Sequence, residues 1–198
     1  MLIETFHGSL NPSIAGFHIA SHFGSSDQAL SAIGAKRFLD EETAGNPTLY
    51  KVTIEVPDTN LFKVKKDWGK FGAQGALIAV KELLLKGATP QEQTAIARRF
   101  ANHHVRINNP SPTEDPIRLA EQFLLQEAKE TIQVIEYENK VENSGTSYCV
   151  LNPELISIVS TTTPTWLDVI KEFKNHGDWE QKKDVVEALE RQLLSEAV

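Results

Sequence analysis

The stretch YENKVENSGTSYCVLNPELISIV, residues 137–159, alternates apolar runs with turn formers at intervals too short for helices. With the residues just before it, it predicts strands over 131–138 (TIQVIEYE), 147–151 (SYCVL) and 156–159 (ISIV). These are separated by a polar turn at 143–146 (NSGT) and the proline turn NPEL. Such a meander of short strands closes a domain. Cys149, the single cysteine, falls inside SYCVL, where a half-buried strand residue is expected rather than a reactive thiol.

Working back toward the N-terminus, TLYKVTIEV (48–56) sets Tyr50, Val52, Ile54 and Val56 on one face against Lys51, Thr53 and Glu55, the pattern of a half-buried strand. Pro57 ends it, and 58–72 (DTNLFKVKKDWGKFG) is expected to be an irregular crossing. MLIETF (1–6) and GFHIASHFG (16–24) read as strands. A helix over 27–39 follows a cap at Ser25 or Ser26, with Asp27 at its positive end and Gly34 weakening it without ending it. Three helices fill the interval before the meander. One spans 73–87 and stops at a left-handed Gly87. A second opens with Thr89 as cap, Pro90 and Glu92 as a capping box, and a third follows Asp115 and Pro116. Past the meander, STTTPT (160–165) reads as a linker to an amphipathic helical pair, with Val186, Leu189 and Leu193 on one face. The fold class is therefore α+β, with a domain over 1–160 and a helical extension over 161–198.

A chain of 198 residues supports one well-filled domain with a small appendage, hence a single site. Its net charge of −7 provides no basic field for a nucleic-acid backbone, although a local groove remains compatible. No run approaches the roughly 18 apolar residues of a membrane span, and no basic segment precedes a long apolar stretch. The expected setting is cytoplasmic with no membrane partner, and delivery into a target cell without a cleavable signal is consistent with that.

Chemistry-bearing residues cluster at two strand ends. TFHGSL (5–10) puts His7, Gly8 and Ser9 behind the first strand, and HFGS (22–25) ends the second. His18 and His22 would share a helix face, but on a strand they stand about 13 Å apart at the backbone. Neither they nor His103 and His104 form a metal-binding pattern such as HExxH, so no metal is expected. KVKK (63–66), Arg98 and Arg99 read as solvated faces.

The order of strand, HGS, second strand ending HFGS, helix, alternating strand, helical insert and terminal YENKVENSGTSYCVLNPELI resembles the ADP-ribosyltransferase fold. The resemblance is to the branch that begins with His-Gly-Ser or His-Gly-Thr, as the poly-ADP-ribose polymerases do. It is greatest to bacterial and phage-borne members, toxins or effectors, that end in a segment like SYxVxNPxxI. It covers about residues 1–160 and implies a split antiparallel β-sheet core with an inserted helical block.

The resemblance further implies a glycosyltransferase that takes NAD as substrate. It would cleave the nicotinamide–ribose bond and pass ADP-ribose to a macromolecular acceptor, a protein with nucleic acid as the alternative. Carried over residue by residue, His7 would hydrogen-bond a ribose hydroxyl on the adenosine side. Gly8 would offer its backbone to the nicotinamide carboxamide, and Ser9 would add a hydroxyl. His22 and Phe23 stand where the family commonly has tyrosine and phenylalanine lining the nicotinamide slot, and the loop between the two blocks is shorter than in the polymerases. The polymerases' catalytic glutamate directly precedes the strand matching YCVL, a position held here by Ser147, which is assigned to cofactor binding. Glu142, at the turn leading into that strand, is the expected catalytic acid, ahead of Glu136 and Glu138. The serine also leaves open a module that binds NAD or a protein without turnover. A tRNA 2′-phosphotransferase would need basic residues converging on a phosphate.

Overall fold

The computed structural model describes residues 1–42, 44–64, 72–128 and 131–196. Along the chain, β1 (Leu2–Ser9) and the short β2 (Ser21–Phe23) lead into α1 (Ser26–Phe38) and β3 (Thr48–Glu55). β4 (Leu61–Val64) precedes three helices, α2 (Gly72–Lys86), α3 (Pro90–Asn108) and α4 (Pro116–Ala128). β5 (Val134–Asn139), β6 (Gly145–Val150) and β7 (Ile156–Thr162) follow, then α5 (Trp166–Phe173) and α6 (Lys183–Glu196). The protein is α+β. Among the described residues no helix is long and apolar enough to cross a membrane.

The strands form two sheets, β1-β3-β7 and β2-β6-β5-β4. β3 lies central in the first because its alternation is real: Tyr50, Val52 and Ile54 are buried while Lys51 and Thr53 are only partly covered. Full burial of each such apolar side chain contributes about 1.5–3 kcal/mol. The sheets meet where Phe6 and Gly24 exchange backbone hydrogen bonds of 2.9 and 3.0 Å. That seam sets His7 beside His22.

α1 is placed by its ends and its glycines. Ser25 Oγ accepts from the Gln28 N–H and Gln28 Oε1 accepts from the Ser25 N–H, so the helix begins in a capping box. The helix lies so close to β1 that a Cβ on Gly8 would overlap the Ala29 carbonyl oxygen and come within 2.8 Å of Ile33 Cγ1. Along the same helix, Gly34 admits α5: a Cβ there would sit 2.5 Å from Phe173 Cβ. The capping box at Thr89 with Pro90 and Glu92 forms as expected. Val186 is buried, with Leu189 and Leu193 packed beside it.

Four local expectations are corrected. Of GFHIASHFG only Ser21–Phe23 forms a strand, because Ala20 takes a left-handed φ of 62° and Ser21 folds back onto the His18 carbonyl. Within the expected irregular crossing, Leu61–Val64 instead pairs in parallel with β5, so the sheet is not wholly antiparallel; 65–71 lie outside the described residues. Gly87 is not left-handed, and the carbonyls closing α2 are instead capped by Gln93, whose Nε2 donates to Leu85 and Ala88 at 3.2 and 3.1 Å. The meander breaks after β6. Both edges of β6 are taken, by β2 and β5, so β7 crosses to β3 and runs through Thr162 into the expected linker.

Candidate functional site

A cavity of about 490 Å³ opens at the seam between the sheets, floored by α1. It gathers His7 and Gly8 from β1, His22 and Phe23 from β2, Ser147 from β6 and Glu142 from the turn between β5 and β6. Ser9 does not join them. Its hydroxyl accepts from the Asn11 N–H at 3.0 Å and is committed to the turn that ends β1. A wider depression of about 680 Å³ lies beside Ile19, Leu125 and Leu151, and among the described residues none of its lining side chains is ionisable.

His7 is held in one tautomer. Its Nδ1 lies 2.9 Å from the His22 carbonyl oxygen. A carbonyl only accepts, so Nδ1 carries the proton and the neutral ring keeps Nε2 as an acceptor. Burial lowers the ring's pKa to about 4 against the favourable bond to His22, with the Lys36 charge adding to the drop. His7 is therefore neutral at pH 7. Phe17 and Phe23 pack on it with centroids 5.2 and 5.3 Å away. Phe23 is fully buried and belongs to the core as much as to the cavity. His22 is turned edge-on to Tyr137, with its Nδ1 2.7 Å from the phenol oxygen.

Glu142 is positioned by Asn139, a buried residue at the end of β5. The Asn139 side-chain oxygen Oδ1 accepts from the backbone N–H groups of Val141 and Glu142 at 3.0 and 3.1 Å, which shapes the turn. Its Nδ2 donates to Glu142 Oε2 at 3.0 Å and to Ser147 Oγ at 3.3 Å. One amide thus orients the carboxylate and occupies the serine beside it. The C-terminal segment braces the same turn. Asn143, at a left-handed φ of 54°, donates to Glu172 of α5 at 3.0 Å, and Gly177 donates its N–H to the Val141 carbonyl at 3.0 Å. His176 bridges to Glu142 through the backbone, and His176 and Asp178 line the cavity.

The remaining charge comes from α1. Lys36 Nζ donates to the Gly8 carbonyl at 3.1 Å. Burial holds this ammonium below the ordinary lysine value, against the fields of Glu42, Glu142 and Asp40. No family model, curated protein or solved structure matches this chain.

Chemically, the cavity offers a neutral imidazole acceptor, a backbone carbonyl, aromatic and alanine surfaces and an oriented carboxylate. This set can bind a flat polar ligand and stabilise positive charge developing near Glu142. Sequence reasoning missed Lys36, Asn139, His176 and Asp178. The signal for Lys36 was spacing: Gln28, Ala32 and Lys36 fall four apart on one helix face, with Ala29 and Ala35 flanking them in the cavity floor. The signal for Asn139 was an Asx residue three before the glutamate it orients.

Proposed function

We propose that this protein is a mono-ADP-ribosyltransferase that binds NAD in the cavity, cleaves the nicotinamide–ribose bond and passes ADP-ribose to a macromolecular acceptor. The observation that carries the reading is convergence. His7, Gly8, His22, Phe23 and Glu142, named from three separated motifs, line one cavity at the junction of two sheets. A split-sheet ADP-ribosyltransferase core would need that junction.

In this reading the His7 Nε2 accepts from a ribose hydroxyl, which a neutral imidazole does and an imidazolium does not. The carboxamide lies along the Gly8 backbone and the ring lies against Phe23. Glu142 accepts from the 2′-hydroxyl of the nicotinamide ribose. As the bond from C1′ to the ring nitrogen breaks, its electron pair stays with nicotinamide, and the carboxylate stabilises the oxocarbenium-like sugar. A nucleophile of the acceptor then bonds C1′ and loses its proton.

A second reading, binding without turnover, draws on the serine at 147 and on the Gly8 carbonyl already engaged by Lys36. The deciding experiment is incubation with NAD labelled separately in nicotinamide and adenylate, together with a cell lysate. Transfer predicts free labelled nicotinamide and adenylate label in the protein fraction, with label in nucleic acid as the alternative acceptor. NAD binding with no nicotinamide release supports the module instead.

A further inference from the structure

The chain beyond α5 brings His176 to the cavity, and the NAD reading gives this side chain no role. Backbone pairing puts it beside Glu142: the Gly177 N–H donates to the Val141 carbonyl at 3.0 Å, and Glu142 and His176 form an isolated antiparallel bridge. Side chains directly opposite each other across such a pair share a face, about 4.5–5.5 Å apart at Cβ. Both residues line the cavity, in keeping with that pairing. Two further contacts fix the segment, the 3.0 Å bond from Asn143 to Glu172 and the close packing of Phe173 on Gly34.

The ring is left with a donor. His176 is 4 % exposed, and its Nδ1 lies 3.0 Å from the Asp178 backbone nitrogen. A backbone N–H only donates, so Nδ1 accepts and the neutral ring carries its proton on Nε2, the opposite tautomer to His7. Burial lowers the pKa of His176 against the fields of Asp178 and Asp40, which keeps the ring neutral at pH 7. Among the described residues no group bonds Nε2. Next to a carboxylate that only accepts, the wall therefore holds an N–H that only donates. That combination suits two neighbouring sugar hydroxyls, one giving its proton to the carboxylate and the other receiving a bond at its oxygen.

Resting on the NAD reading above, we infer that His176 is a further substrate-binding residue, its Nε2–H donating to the 3′-oxygen of the nicotinamide ribose while Glu142 accepts from the 2′-hydroxyl. The 3′-oxygen keeps its hydroxyl character as the bond to nicotinamide breaks. Its contact with His176 is therefore felt equally in ground and transition states, and losing it raises KM rather than lowering kcat.

The test uses the full chain, NAD, and the NAD analogue that lacks the 3′-hydroxyl of the nicotinamide ribose, with dissociation constants measured by calorimetry. His176→Asn keeps an acceptor near the place of Nδ1 for the Asp178 N–H and removes the Nε2 donor. His176→Gln does the reverse. Wild type should bind NAD about tenfold tighter than the analogue. His176→Asn should weaken NAD binding about tenfold, leave the analogue unaffected and hold kcat within a few fold, while His176→Gln recovers most of the affinity for NAD. A wild type that binds NAD and the analogue equally, or a His176→Asn variant that still prefers NAD tenfold, overturns this inference and leaves the NAD reading standing. So does an equal loss of affinity in both variants that tracks their melting temperatures, which would make His176 a prop for the turn. If NAD fails to bind wild type, the NAD reading falls and takes this one with it.

Discussion

Among the described residues, two groups of charged and imidazole side chains lie at least partly out of solvent, and they are finished differently. Between α3 and α4, Glu127 accepts two bonds from Arg99 Nε at 2.7 and 2.9 Å and one from His103 Nε2 at 2.8 Å. Burial pushes its carboxyl up, but the bonds and charges of Arg99 and His103 more than offset this and leave it below the usual carboxylate range. His103 stacks on Phe123 with centroids 4.1 Å apart. Arg99, which the sequence suggested was merely solvated, closes this network. At the cavity, by contrast, Lys36 uses one donor, His7 keeps Nε2 as an acceptor, and the buried Gln28 Nε2 finds no partner among the described residues. A charged cluster completed by its own side chains holds a fold together. Capacity left over at the cavity supports the proposal that a ligand completes it, because a buried polar group without a partner costs about 1–3 kcal/mol.

The largest effect that sharpens this contrast is acid sensitivity at His7. Its pKa is about 4 folded against 6.5 unfolded, so between these values the unfolded chain binds more protons. The stabilisation is fully present above pH 6.5 and is lost as pH falls toward 4, at about 1.4 kcal/mol per unit or roughly 3 kcal/mol in all. His176, also depressed by burial, acts in the same direction. Urea melts across this range should show the loss, and His7→Gln should flatten it; an unchanged slope in the variant would mean that His7 is not the buried neutral ring described.

Next in size is Gly8→Ala. The added methyl meets the Ala29 carbonyl, so the variant should lose about 2 kcal/mol of stability by thermal melting, even without ligand. Loss of NAD affinity with full stability would place the constraint in the ligand rather than in α1. Glu127→Gln should cost about 1–2 kcal/mol, since Arg99 is 43 % exposed and its orphaned charge can reach water. Its NAD-induced thermal shift should match that of wild type, and a lost shift would break the division between the two clusters. Smallest is His22: Tyr or Phe should keep NAD affinity within a few fold, whereas Ala should lose roughly 1 kcal/mol by calorimetry.

What could be read from the sequence was local. His7, Gly8, His22 and Glu142 sit in short motifs whose chemistry depends on neighbours in the chain, and the Ser25 and Thr89 caps are set by residues three positions away. What escaped was decided by distant packing. LFKV is too short and too basic in its surroundings to announce a strand, and it becomes β4 only because β5 offers a parallel edge. Ser9 looked equivalent to its neighbours until the turn at Asn11 claimed its hydroxyl. Lys36 was not singled out in the sequence; it reaches the site because, in a cavity floored by alanines of α1, its Nζ meets the Gly8 carbonyl. His176 and Asp178 reach the site through the docking of α5 on Gly34, a contact 139 positions apart in sequence between Gly34 and Phe173.

In the proposed reaction the Asn139-oriented carboxylate of Glu142 stabilises a sugar cation formed from NAD. Glu142→Gln keeps the shape and a hydrogen-bonding group but removes the charge, which matters chiefly in the transition state. The direct measurement is nicotinamide release from labelled NAD by wild type and Glu142→Gln, paired with NAD affinity by calorimetry. For Glu142→Gln, kcat is expected to fall on the order of a hundredfold with affinity nearly unchanged. Equal release by the two proteins, with Ser147→Ala crippled instead, would contradict it.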